Sequence, residues 1–168
     1  MEELHGAVII DATLDTYRQC AGCQGNLDAG DACRKCGQGA ERVLVYKLLM
    51  VVAHGEVVRS TVAWDKVGRA VVGCSAAELR ERAEGEDLGI MGRIQDALVG
   101  THCTMRLQAA RAGHTDQRVL EVALPPPGPI APQIWRARRG GKAESGAGES
   151  SSLALGPESG RFYAVGKE

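Results

Sequence analysis

The chain has 168 residues, of which 44% are hydrophobic and 24% charged, and its formal net charge is −1. This length suffices for one domain with a substantial core, and the near-neutral charge excludes a strongly basic, histone-like binder. No apolar run is long enough to span a membrane, and the start "MEELHGAVII" lacks the basic segment of a secretory signal. The composition therefore predicts an intracellular protein.

The first half of the chain is predicted to be rich in strands. An apolar, β-branched stretch, "LHGAVIIDATL", indicates the first strand. Two more, "RVLVYKLLMVVA" and "VVRSTVAW", flank the turn "HGE" in hairpin spacing. The stretch "VGRAVVG" is predicted to continue the third strand after a bend near Gly68.

A helical period follows these strands. The segment "SAAELRERAEGEDLG" opens with Ser75 and has Glu78 three residues later, which is the pattern of a capping box. In "LGIMGRIQDALVG", apolar residues recur at helical spacing from Ile90 to Leu98, and Gly100 is the predicted helix stop. Period two then returns in "HCTMRLQA" and "QRVLEVAL", which predict two final strands.

Five short strands with one helix between the third and fourth is the order of an OB-fold. This all-β, five-stranded Greek-key barrel binds oligonucleotides or oligosaccharides on its strand 2–3 face and flanking loops. We predict one such domain over residues 1–124. All six prolines lie beyond Leu124, in a stretch rich in Gly and Ser. Residues 125–168 are therefore predicted to be a disordered tail, with helix formation forbidden across residues 125–132.

Four of the six cysteines lie between the first two strands, in "CAGCQGNLDAGDACRKC". They form two Cys-x-x-Cys pairs, Cys20 with Cys23 and Cys33 with Cys36, in the spacing of a tetrahedral zinc site. We predict one structural Zn²⁺ ion in a zinc ribbon over residues 17–42, inserted between strands 1 and 2. Four sulfur ligands leave no position for a reactive water. A thioredoxin-like redox pair fits less well, because it uses a single Cys-x-x-Cys at the start of a helix.

This combination resembles the C-terminal DNA-binding domain of the large subunit of replication protein A, an OB-fold with a four-cysteine zinc ribbon between its first two strands. The resemblance covers residues 4–124 and is carried by "CAGC", "CRKC", "VLVYKLLMVVA", "STVAWDKVGRAVVG" and "IQDALVGTHCTMRLQA". The C-terminal OB domain of the shieldin subunit 2 family is also similar. That family binds single-stranded DNA at double-strand breaks, limits end resection and favours end joining.

The resemblance implies a place in the nucleus, on the chromosome, with single-stranded DNA and protein subunits of a repair complex as partners. It implies neither a membrane nor a small-molecule substrate. A single strand is held by cations along its backbone and by aromatic faces under its bases. The candidates lie on the strand 2–3 hairpin, in the second cysteine pair and on the fourth strand: Tyr46, Lys47, Arg59, Trp64, Arg34, Lys35 and Arg106. The alternative places both aromatic side chains in the barrel core and the cations in solvent.

Residues 1–124 carry 14 Lys+Arg against 17 Asp+Glu, a net charge of −3. This balance keeps an alternative open, in which the barrel is a scaffold that recruits repair proteins and has little intrinsic DNA binding. The sequence shows no paired carboxylates in a motif, no Gly-rich phosphate loop and no Ser/His/Asp pattern. We therefore predict a single-stranded DNA-binding module of DNA repair that is not an enzyme.

Overall fold

The computed structural model describes residues 1–25, 27, 32–37, 39, 41–85, 87–110, 113 and 115–140. Within these residues, five strands form a closed barrel in the order β1-β2-β3-β5-β4. All neighbouring strands are antiparallel except β3 and β5, which pair in parallel over residues 61–63. The strands are β1 (Glu2–Cys20), β2 (Arg42–His54), β3 (Val57–Trp64), β4 (His102–Gln108) and β5 (Gln117–Ala123).

Helices α1 (Asp65–Val72), α2 (Ala76–Gly85) and α3 (Ile90–Leu98) lie between β3 and β4, and α4 (Ile130–Gly140) follows β5. This is the topology of an OB-fold, so the predicted five-stranded barrel is confirmed, with a helical region where one helix was expected. No helix in the described part of the chain is long and apolar enough to cross a bilayer.

Strand β1 closes the barrel because it pairs with two neighbours in succession. Its first residues, Glu2 to Val8, pair with β4, and the stretch from Val8 to Cys20 pairs with β2. A register shift between Ile9 and Asp11 marks a β-bulge, which bends a strand and increases its twist. One long strand can therefore turn from one side of the barrel to the other without interruption.

The barrel interior is lined by alternate residues of each strand. Four alternate residues of β2 are buried: Tyr46, Leu48, Met50 and Val52. The residues at positions 47, 49 and 51 are only partly buried. This period of two is the burial pattern that a pleated strand produces when one face is turned to the core. Helix α3 adds apolar side chains to the same core, at the spacing predicted from the sequence: Ile90, Ile94 and Leu98.

Helix α1 replaces the predicted continuation of β3, which is wrong. Its valines have a low intrinsic helix propensity, but Val67 and Val71 stand four residues apart and are both buried on one side of the helix. An ion pair between Asp65 and Arg69, at 2.8 Å, adds an i,i+4 contact on the exposed side. The helix ends at Gly73, whose φ of 91° provides the left-handed conformation of a helix stop.

The predicted capping box at the start of α2 is confirmed. The Ser75 backbone N–H donates to the Glu78 carboxylate at 2.8 Å, and the Glu78 N–H donates to the Ser75 hydroxyl at 3.2 Å. These bonds satisfy amide groups that a helix N-terminus leaves without partners. The Ser75 hydroxyl also donates to the Glu78 carboxylate, at 2.7 Å, and this bond, with that from the Ser75 N–H, lowers the pKa of Glu78 because both donors favour the charged carboxylate.

Helix α4 lies within the predicted disordered tail, so the prediction is corrected for residues 130–140. Pro132 is the third residue of the helix, in the first turn, where its missing N–H costs no intrahelical hydrogen bond. Ile130 and Ala131 are buried in the core, and the Arg82 guanidinium stacks over the half-buried Trp135 ring at 4.0 Å. Residues 141–168 of the predicted tail lie outside the described residues.

The contact between α1 and β2 supplies a stability test. A Cβ atom at Gly68 would lie 2.5 Å from the Tyr46 Cβ, so Gly68→Ala should lower the free energy of unfolding by about 1–3 kcal/mol. The control is Gly92→Ala on α3, where no atom lies within 4 Å of the new Cβ and helix propensity should stabilise the fold slightly. Urea unfolding of both variants measures the difference, and equal stability would contradict the close packing of α1.

Candidate metal centre and nucleic-acid interface

Strands β1 and β2 continue beyond the barrel as a two-stranded ribbon, here called the ribbon extension (residues 15–20 and 42–47). The last pair between β2 and β3 is Lys47 with Trp64, whereas the pairing of β1 with β2 runs on to Cys20 and Arg42. Where β2 leaves β3, the Asp65 carboxylate accepts the Tyr46 N–H at 3.2 Å. A side chain thus takes over the hydrogen bond that a neighbouring strand no longer supplies.

The ribbon extension ends in the two cysteine pairs. Their four Sγ atoms all lie within 4.8 Å of one another, and those of Cys23 and Cys33 are 3.3 Å apart. The first pair is held in a turn by a hydrogen bond from Gln24 N to Cys20 O at 2.9 Å. The second pair is closed by reciprocal bonds between Cys33 and Gly37, at 2.8 and 3.2 Å. Backbone hydrogen bonds therefore shape each pair into a turn, and the sulfurs of both turns lie together.

The four sulfurs fit a tetrahedral metal ion. A metal–sulfur bond of about 2.3 Å places the sulfurs of a tetrahedron about 3.8 Å apart, and the observed separations bracket that value. The Cys36 backbone N–H donates to the Cys33 sulfur at 3.4 Å. This bond, with further donors, lowers the pKa of Cys33 to about 6, whereas the neighbouring cysteine side chains raise the pKa of Cys36 to about 12, so Cys33 is the readier of the two to form a thiolate. The donor set and its spacing are thus compatible with zinc.

An aromatic pair lies on the outer face of the barrel where the ribbon extension begins. The rings of Tyr17 and Trp64 have centroids 6.0 Å apart, with their planes at 80°. Lys47 lies between their strands on the same face, opposite Trp64 on one side and Asp15 on the other. The side chains of Asp15, Lys47 and Trp64 point away from the core because each has a buried neighbour in sequence, and Tyr17 shares their face because it lies two residues after Asp15 on β1.

Tyr17 is a residue that sequence reasoning missed. It lies next to the cysteine motif, beyond the end of the first predicted strand. Strand β1 continues to Cys20, and its pleat puts Asp15 and Tyr17 on one face. Its neighbour Trp64 comes from β3, so the pairing depends on strand register. Burial, followed by the negative charge of Asp65, raises the pKa of Tyr17.

Tyr46, predicted to contact nucleic acid, belongs to the core, and that prediction is corrected. Its side chain has 0% exposure, and its hydroxyl donates to Ser75 O at 3.0 Å and lies 3.7 Å from the Cys74 sulfur. Burial is the main cause that raises its pKa, followed by Cys74. Since no face of the ring is open, Tyr46 cannot stack on a base.

The two predicted arginines of the barrel are engaged by acidic neighbours. Arg59, near the start of β3, lies on the same side of the strand as the buried Thr61 and Ala63, forms an ion pair with Glu2 and lies 3.4 Å from the Gln117 amide oxygen. Arg106 is paired with Glu121 at 2.6 Å on adjacent strands. Both charges are thus partly neutralised, and Arg59 holds three strands together at the barrel end.

The predicted cations of the second cysteine pair lie at the surface. Arg34 and Lys35 occupy the turn between Cys33 and Cys36, and both are exposed. Lys35 forms no ion pair with any described residue. Of the predicted nucleic-acid residues, the structure thus brings together Lys47 and Trp64, while Arg34 and Lys35 lie at the far end of the ribbon extension.

Comparisons with known proteins identify the fold. No protein-family model matches the chain, and no curated protein matches it by sequence. A solved structure of yeast RPA bound to single-stranded DNA is similar with a TM-score of 0.53 and 17% identity, covering 85% of this chain and 88% of that one. A replication protein A heterotrimer bound to single-stranded DNA has a TM-score of 0.46 and 17% identity, covering 82% and 34%. The first likeness shows an RPA-like OB-fold.

Tyr46→Phe separates a core role from a nucleic-acid role for this residue. We expect the free energy of unfolding to fall by about 1 kcal/mol, because the hydrogen bond from the Tyr46 hydroxyl is lost, while the Ser75 carbonyl still accepts the Leu79 N–H at 3.0 Å. Affinity for an oligo-dT strand, measured by fluorescence anisotropy, should not change. A loss of affinity with unchanged stability would place the hydroxyl at the ligand instead.

Proposed function

We propose that the protein is a non-catalytic, single-stranded DNA-binding OB module. The observation that carries the proposal is the Tyr17–Trp64 ring pair beside Lys47, on the outer face where β2 and β3 meet. OB-folds bind oligonucleotides on this face, through stacking of bases on aromatic rings and contact of phosphates with cations. The fold shared with a yeast RPA that is bound to single-stranded DNA supports the same ligand class.

The proposed roles follow from the chemistry of the three side chains. The aromatic rings of Tyr17 and Trp64 offer stacking surfaces that accept any base, because every base has a π-face. Lys47 offers a point charge to a phosphate. Asp15, which lies opposite Lys47 on β1, reduces the net positive charge of this surface. This combination favours sequence-tolerant binding that depends on salt concentration.

The proposed cofactor is one structural zinc ion held by Cys20, Cys23, Cys33 and Cys36. When bound, zinc would supply cross-linking of the two cysteine pairs rather than chemistry, since sulfur would fill all four positions. Tyr17 lies three residues before Cys20 on the same strand, so order at the cysteines also orders the aromatic pair. The metal would therefore support the binding face indirectly.

The proposed setting is DNA repair in the nucleus, as part of a replication protein A-like or shieldin-like complex on the chromosome. Support comes from the cysteine framework within an RPA-like OB-fold. Protein subunits are accordingly proposed as partners besides single-stranded DNA.

A scaffold that binds repair proteins and little DNA is the second candidate. It is favoured by the exposed apolar side chains near the β2–β3 turn, which include Ile10 at 45%, Val57 at 50% and Val58 at 60% exposure. Apolar patches at a surface mark sites of protein association. The net charge of −3 over residues 1–124 also favours this candidate, because a negative domain is repelled by the phosphates of DNA.

Metal content tests the cofactor. The purified protein should contain one zinc ion per chain, and Cys20→Ser should abolish it, whereas Cys74→Ser, outside the cluster, should retain it. Removal of zinc should cost a large part of the stability of the ribbon, since binding at such sites contributes on the order of 10 kcal/mol. Elemental analysis and thermal unfolding measure both effects. A folded chain that never contains metal would refute the zinc proposal.

DNA binding is tested by anisotropy of a labelled oligo-dT strand at low salt. Trp64→Ala should weaken binding by about 1–3 kcal/mol through loss of a stacked base, and Lys47→Glu should weaken it and reduce its salt dependence. The matched control is Arg80→Glu on α2, which carries the same kind of charge change at an exposed site and should bind normally. If the unmodified protein shows no binding at micromolar concentration, the scaffold function is favoured.

A further inference from the structure

The charges of residues 1–124 are divided unevenly along the sequence. The part formed by residues 15–47 and α1 holds 7 Lys+Arg against 5 Asp+Glu, a net charge of +2. The remainder holds 7 Lys+Arg against 12 Asp+Glu, a net charge of −5. The weak overall charge therefore conceals a basic part of the chain, residues 15–47 with α1, here called the basic end, and local charge is what a polyanion responds to.

The lysines of the domain are confined to this basic end. Residues 1–124 contain Lys35, Lys47 and Lys66, and no other lysine. None of the three forms an ion pair with a described residue. By contrast, five arginines of the described chain are paired with carboxylates: Arg59, Arg69, Arg80, Arg93 and Arg106. The described lysines without ion-pair partners thus all belong to the part of the domain that contains the cysteines and α1.

The three lysines lead from the aromatic pair to the cysteine cluster. Lys66 is the second residue of α1, two positions after Trp64, and its side chain is exposed. Lys47 lies opposite Trp64 on β2. From Lys47, β2 runs back about 17 Å to Arg42, at about 3.3 Å per residue, and Lys35 lies beyond it in the second cysteine turn.

The opposite end of the same face is unsuited to a phosphate chain. The β2–β3 turn carries Glu56 and is flanked by exposed Val57 and Val58, and Asp11 occupies the adjacent part of β1. Arg59, the cation nearest to this turn, is engaged by Glu2. A phosphate at this end would meet carboxylates and apolar side chains.

We propose that a bound single strand runs from the Tyr17–Trp64 pair along the ribbon extension toward the cysteine cluster, with Lys66 and Lys35 contacting its phosphates. The strand does not extend along the barrel to the β2–β3 turn. This inference rests on the proposed function, since it assigns the path of the same ligand. On this path, the ribbon extension would be part of the DNA-binding surface in addition to its structural role.

Charge reversal in the full chain tests the path. We expect Lys35→Glu and Lys66→Glu each to weaken oligo-dT binding severalfold and to lower the slope of log affinity against log salt by about 0.7, the value for one phosphate contact on a single strand. Arg80→Glu is the matched control and should leave affinity and slope unchanged. Lys35→Gln and Lys66→Gln remove the positive charge without adding a negative one, and circular dichroism of each variant checks that the chain is still folded.

Lysine acetylation, read by mass spectrometry with and without oligo-dT, provides a second readout. Protection of Lys35, Lys47 and Lys66 by the oligonucleotide supports the proposed path. The path would be overturned if the unmodified protein binds oligo-dT, Lys35 and Lys66 are not protected, and the Lys35→Glu and Lys66→Glu variants bind with full affinity. The proposed DNA-binding function would then still hold. Absence of binding by the unmodified protein would overturn both. Protection confined to Lys142, in the segment after α4, would also overturn the path.

Discussion

The antiparallel ladder between β1 and β2 is the interaction on which the rest of the structure depends. It begins inside the barrel at Val8 and Ala53 and continues without another strand alongside to Cys20 and Arg42. The same hydrogen-bonded ladder therefore belongs to the barrel wall at one end and to the cysteine cluster at the other. Barrel packing fixes the start of the ribbon, and a metal at the cysteines would fix its end, so neither element has to be ordered alone.

The alternation of this ladder also separates the core from the proposed binding surface. Tyr46 and Lys47 are consecutive, yet the first is buried to 0% exposure and the second lies on the outer face. A shift of one residue in the register of β2 would exchange these roles along the whole strand. Asp65 stabilises the register at the critical point, because it accepts the Tyr46 N–H where β3 ends and also pairs with Arg69.

Helices α1 and α4 show how tertiary contacts override local preference. The valines of α1 favour a strand when considered alone, but Gly68 allows the helix to approach Tyr46 closely, and the helix then buries its valines against the barrel. The prolines before α4 indicate a tail, yet Pro132 fits the first turn of a helix whose apolar residues reach the core. In both cases the burial is against residues distant in sequence, which no local window contains.

The sequence by itself determined the features that depend on local spacing. The two Cys-x-x-Cys pairs, the capping box of Ser75 with Glu78, the apolar spacing of α3 and the order of the five strands all follow from patterns within a few residues. The tertiary structure alone decided which side chains meet across strands. The Tyr17 ring contacts that of Trp64, the Tyr46 hydroxyl donates to Ser75 O, and Arg59 forms an ion pair with Glu2. These residues are tens of positions apart, and strand register and barrel closure bring them together.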